Sequence, residues 1–265
     1  MILRRITQHV KDQNWFAVAL DFVIVVVGIL IALQITNWNE DQSARAKLDR
    51  VEEVLQNDLA QTYFSAKERL ALVECRREVY QSIADRLLEP SDAWVGIPRS
   101  DANNVANSVL PMLLRSPHGV TWGSPTWKAE LAQGTFNQMD DERRAALDGI
   151  FRQAELADTL QSDILELQGQ LKVLAISTDI PKSDRLRYYE KLGELDDKSG
   201  TLEFFAELLI ATIETIGVNV PVDQQEQLNE FLRSGIAIRR EIYGACYVIP
   251  TFPAFDWLPE DKATP

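Results

Sequence analysis

The stretch DFVIVVVGILIALQITNWNE, Asp21–Glu40, opens on a carboxylate and then runs without another charge until its last residue. Trp15 and Trp38 bracket the apolar run. At helical rise they stand about 34 Å apart, the thickness of a hydrocarbon core with part of its headgroup zone. Paired aromatics at that spacing read as the two interfacial belts of a span. A helix of a soluble core would carry a polar face, and this run has none. Residues 15–38 are therefore expected to form a transmembrane helix. A cleaved signal peptide is the competing reading, because basic residues precede the run, but no small-x-small site follows it. The expectation is an uncleaved signal anchor.

Charge supplies the orientation. Arg4, Arg5 and Lys11 precede the span, whereas Glu40 and Asp41 come first after it. By the positive-inside rule residues 1–14 are a short cytoplasmic N-terminus, and the rest is extracytoplasmic, in the periplasm if the cell has an outer membrane. The chain has 265 residues and a net charge of −13, with the excess acid falling after the span. Such a balance disfavours nucleic acid, whose phosphates require a basic footprint, and disfavours lying flat on anionic lipid.

At 100° per residue Ala17, Asp21, Gly28 and Ala32 share one face of the span, with Ile35 at its edge. Gly28 and Ala32 form a small-xxx-small pair, which lets another helix approach, and a polar group beside it can bond across the contact. This face is the candidate transmembrane interface, for self-association or for another membrane protein. The alternatives for Asp21 are a carboxylate that bends toward the cytoplasmic headgroups or one that is simply protonated.

Beyond the span the pattern is helical throughout, and the expected fold is all-α, one N-terminal transmembrane helix followed by a helical-bundle extracytoplasmic domain. From Ser43 to Glu89 no Gly or Pro occurs, and Leu48, Val51, Leu55, Leu59, Thr62 and Ala66 begin an apolar seam, so 39–89 is expected to be one long juxtamembrane helix, a stalk or a bundle member, ended by Pro90. Residues 90–124 form a Pro- and Gly-rich connector with a short helix near Asp101–Arg115. Residues 125–248 form the bundle. Ser124 and Pro125 read as N-cap and first residue of a helix closed by Gly134, and Asp140 caps a second that runs to Thr178. Further helices are expected at Ser183–Leu195, Leu202–Ile216 and Asp223–Tyr247. The tail, 249–265, keeps Phe252, Phe255 and Trp257 either for packing on the bundle or for a partner.

Two segments together resemble a group of uncharacterised bacterial single-span membrane proteins, classed only as a domain of unknown function. The first is QNWFAVALDFVIVVVGILIALQITNWNE, residues 13–40, and the second is PTWKAELAQGTFNQMDDERRAAL, residues 125–147. The resemblance implies a bacterial membrane location and this architecture. It implies no activity, substrate or catalytic residue.

Chemistry has few starting points. His9 lies before the span, which leaves His118 as the domain's one imidazole, in SPHGVTWGSPTW between Pro117 and Gly119. Ser116 and Ser124 sit near it without a nucleophile elbow. Cys75, Cys246 and His118 lack the paired spacing of a zinc site, and no phosphate loop or dinucleotide fingerprint occurs, so neither metal nor cofactor is expected. The acid pairs Asp140-Asp141 and Asp196-Asp197 read as helix-end or solvated residues. An enzyme is not expected. Cys75 and Cys246 both fall on apolar helix faces, and either a disulfide or two buried thiols fits. His118, Trp122 and Trp127 are a candidate surface for a partner or ligand, although tryptophans beside prolines also plug cores. The expected role is a membrane-anchored scaffold, adaptor or accessory protein; a ligand-sensing bundle and an envelope-polymer hydrolase are the alternatives.

Overall fold

The structure, a computed structural model, describes residues 15–97, 121–255 and 257, with side chains from Ala19 onward. The expected short helix near 101–115 and His118 lie outside the described residues. Six α-helices and two short strands make up the described chain, which is all-α in class. It divides into two units, Met1–Arg50 and Val51–Pro265.

Helix α1, Trp15–Ala71, is 57 residues long and contributes to both units. In the first unit the side chains of its apolar run from Ala19 to Trp38, among them Phe22, Ile24, Val25, Ile29 and Leu33, are exposed. This part is long and apolar enough to cross a membrane. In the second unit the same helix is core: Leu55, Leu59, Tyr63 and Ala66 are fully buried. The segment that the sequence left open between stalk and bundle is thus a bundle member from Val51 onward.

The expected helix 39–89 is broken once. Leu72, with φ −106° and ψ 3°, interrupts it, and α2 restarts at Val73 and runs to Leu87. Ala93–Trp94 (β1) then pairs antiparallel with Thr178–Asp179 (β2). Gly96 is required beside this pairing, because a Cβ there would lie 2.6 Å from the Ala175 carbonyl oxygen.

Helix α3, Pro125–Ala132, begins as its sequence predicts: Ser124 accepts from the Trp127 amide and Pro125 takes the first turn. Gly134 follows at φ 73°, the left-handed residue that closes it. Asp140 accepts from the amides of Glu142 and Arg143 and opens α4, Asp141–Gln170, which stops before the expected Thr178 because Lys172–Ala175 tighten into a 3-10 turn. The two helices expected at 183–195 and 202–216 are one, α5, Lys182–Ile216. The buried series Leu192, Leu195, Ser199, Leu202, Ala206, Leu209 and Ile213 continues straight through the expected gap. Helices α4 and α5 pack along each other and, with α2 against α5, build the centre of the bundle.

Helix α6, Val222–Tyr243, ends at Gly244 with φ 65°. Of its side chains Leu232 and Ile236 are buried. The chain after it returns to the bundle: Phe252 and Phe255 are buried and meet the Tyr63 ring edge-on at 6.0 and 5.3 Å. Those two aromatics are therefore occupied inside the molecule.

Candidate functional site

Asp21, Gly28 and Ala32 lie in unbroken helix and are exposed. A Cβ on Gly28 would meet nothing within 4 Å. Ala17 belongs to the same helix, with its side chain outside the description. An uninterrupted α-helix keeps positions 21, 28 and 32 on one face, so the surface that another helix would need is present and uncovered within its unit.

The second candidate surface is corrected. Trp122 and Trp127 are buried, at 3% and 4% exposure, and do not form a contact surface. Their backbone explains why. Asp158 accepts from the amides of Trp122 and Gly123 at 2.7 and 2.9 Å, the Thr62 hydroxyl donates to the Trp122 carbonyl at 2.7 Å, and the Ser124 hydroxyl pairs with Asp58. The Trp127 ring stacks on Phe136 at 4.4 Å. With these polar groups of the turn bonded inward, the indoles plug the core between α1, α3 and α4.

Cys75 and Cys246 form a disulfide, with Cα atoms 5.0 Å apart across 171 residues of sequence. The neighbouring amide of Val248 donates to the carbonyl of Ala71, so the end of α6 is fastened where α1 breaks. Asp196, expected at a helix end, sits in the middle of α5 instead and pairs with Arg76. Asp140 is a helix cap, as its sequence context suggested, and no group of metal-ligating side chains gathers among the described residues.

Sequence reasoning missed the buried charges. Arg76 donates to both oxygens of Glu203, at 2.7 and 2.9 Å, and Arg69 reaches Glu203 at 3.7 Å and the Ser199 carbonyl at 3.4 Å. Burial holds the Arg69 guanidinium below its ordinary range. The signal was present: the three- and four-residue series 62, 66, 69, 73, 76, 80 is continuous, and two of its members are arginines. Such residues on a buried face must bring their own acids.

A groove of about 670 Å³ lies between α1 and α6. The paired contacts ascend together along α1 and the chain that runs through α6: Gln56 with the Asn219 amide before it, Phe64 with Phe231, Glu68 with Arg239, and Ala71 with Val248 after it. The helices therefore run in the same direction, and the lining can be read from end to end. Asn57, Gln61, Gln224 and Gln227 stand at one end, Phe64, Leu228 and Phe231 in the middle, and Ile238, Ile242 and Tyr243 beyond them. Glu68, 2% exposed, is held by Arg239 through both Nε and Nη2, the latter at 2.8 Å. Burial pushes the Glu68 carboxyl up to about 7 despite the neighbouring guanidinium. Arg239 also stands 5.7 Å over the Phe64 ring.

No family model, curated protein or solved structure matches this chain. The class of protein rests on the two units themselves: a helix able to span a bilayer, and an all-α domain tied by a disulfide.

Proposed function

We propose that this is a single-span bacterial membrane protein with its N-terminus in the cytoplasm, whose helical domain lies beyond the inner membrane and works by binding, as a scaffold, adaptor or accessory subunit. The observation that carries the reading is helix α1, one element that holds both an exposed apolar run of bilayer length and buried residues of the bundle. A partner that grips the Gly28 face grips a helix whose other end is core. Basic residues before the run and acids after it support the orientation, and the Cys75–Cys246 bridge supports an oxidising compartment for the domain. The buried Arg69, Arg76 and Glu203 pair with one another, and Glu68 pairs with Arg239, as in a network that holds a fold, which favours binding over turnover.

The test is a photo-crosslinking residue at Gly28 in living cells, with and without Asp21→Asn. Capture of a second copy or of one defined membrane protein that depends on Asp21 is the expected result. Capture of lipid alone in both forms would reduce the span to a plain anchor and remove the adaptor reading.

The groove under α6 favours a second reading, in which the bundle senses a ligand and passes the signal to a membrane partner.

A further inference from the structure

The groove between α1 and α6 falls within the size range of small-molecule sites, roughly 300–1,000 Å³, and its chemistry is ordered along its length. We propose that it binds a neutral single-chain amphiphile, with an uncharged hydrogen-bonding head at the carboxamide end and a hydrocarbon chain along the apolar middle.

The polar end carries the argument about the head. Asn57, Gln61, Gln224 and Gln227 each offer an acceptor oxygen and a donor NH2, and none carries charge. Hydroxyl, ester and amide groups find both halves of their hydrogen bonding there. A carboxylate or ammonium would find no counter-charge at this end, because the charged residues of the lining, Glu68 and Arg239, stand beyond Phe64 and Phe231 and are engaged with each other at 2.8 Å. Desolvating a lone ion without a partner is strongly unfavourable.

The middle carries the argument about the tail. Phe64 forms a buried floor, and Phe231 and Ile238 leave 55% of their surface exposed on the α6 side, an apolar rim that a bound chain would cover. From Asn57 to Glu68 the floor extends roughly 16 Å at helical rise, a length that suits one extended medium-length chain. The Phe64 and Phe231 rings bridge the two helices at 5.5 Å between centroids. A groove of about 670 Å³ takes one such chain and is too small for a third helix, which is about 10 Å across.

The inference deepens the sensing reading but rests on the groove alone. Binding that left the Gly28 crosslinks unchanged would sustain the site and sink the sensor. The experiment uses the full-length chain in lipid nanodiscs, titrated calorimetrically with decanamide, decanoate and decylammonium, with the heats for empty discs subtracted. Decanamide is expected to bind at least tenfold more tightly than either charged analogue. Leu228→Trp, which fills the groove from α6, is expected to weaken decanamide at least tenfold while helicity and the disulfide persist. Ala60→Phe fills it from α1 and serves if the first variant loses helicity, and the comparison of head groups on the unsubstituted chain needs neither. Gln61→Leu combined with Gln224→Leu should erase the preference for the amide head. Equal affinity for all three probes, no binding of any, or undiminished decanamide binding in a folded, filled variant would overturn the proposal.

Discussion

Arg185 is 2% exposed and pairs with no acid among the described residues; its guanidinium donates instead to the carbonyls of Ile180, Arg86, Glu89 and Ala93. Two of these carbonyls close α2 and two belong to the chain around the β1–β2 pairing, so one side chain satisfies a junction of three segments. Removing it as Arg185→Ala strands buried acceptors, and a loss of about 3 kcal/mol is expected in a denaturant titration. Glu68 makes a different kind of statement. Its carboxyl titrates near 7 when folded and near 4.5 when free, so the folded state binds the extra proton between those values. Its contribution is therefore complete below about pH 4.5, declines as pH rises toward 7, and is gone above. Arg239 on α6 and the buried Tyr247, itself pushed up to about 12 by burial, face the same carboxylate. A melting temperature that falls between pH 5 and pH 8, and a flatter profile in Glu68→Gln, is the expected result; a profile identical in both would assign the slope to other groups.

Among the elements, α5 and α6 are held in opposite ways. Helix α5 buries one face from Arg185 to Ile213, and its glycines 193 and 200 are exposed, with nothing within 4 Å of a Cβ built on either. Both positions are helical, so Gly193→Ala and Gly200→Ala should each raise stability by about 0.5–1 kcal/mol through the unfolded chain's lost freedom. Equilibrium unfolding of the single and double variants checks this, and additive gains are expected because the sites lie about 10 Å apart at helical rise. Helix α6 has little core of its own and depends on fastenings at its ends. Removing the disulfide as Cys75→Ser with Cys246→Ser frees a loop of 171 residues, and chain entropy sets the expected loss at about 2–5 kcal/mol. Hydrogen exchange should then rise first in α6, where Leu232 and Ile236 are the buried anchors, and much less in α4 and α5.

For the whole molecule the expected arrangement has a direct readout. Protease added to intact spheroplasts should digest the chain after the span, because Val51–Pro265 is proposed to face outward. A domain left untouched would reverse the orientation. Protein retained in a reducing cytoplasm should carry two titratable thiols and melt at a lower temperature than the exported form, whereas the exported form should carry none.

How much of this could be read from the chain alone divides along a physical line. Local signals were sufficient where the cause is local. An apolar run of bilayer length, a serine before a proline, an aspartate before a helix and a glycine after one each act over a few residues, and they place the candidate span, the start of α3, the cap of α4 and the turn at Gly134. Helix type followed from periodicity in the same way. What required the packed structure was every feature whose cause is a distant partner. The continuity of α5 past Gly200 depends on the face it buries against α4 and α2. The inward turn of Trp122 depends on Asp158, Thr62 and Asp58 receiving its neighbourhood's polar groups. The pairing of Arg239 with Glu68, and the groove beside it, exists because two helices 171 residues apart in sequence run side by side. Propensity acts through neighbours along the chain, while burial and charge pairing act through neighbours in space, and only folding makes the second set known.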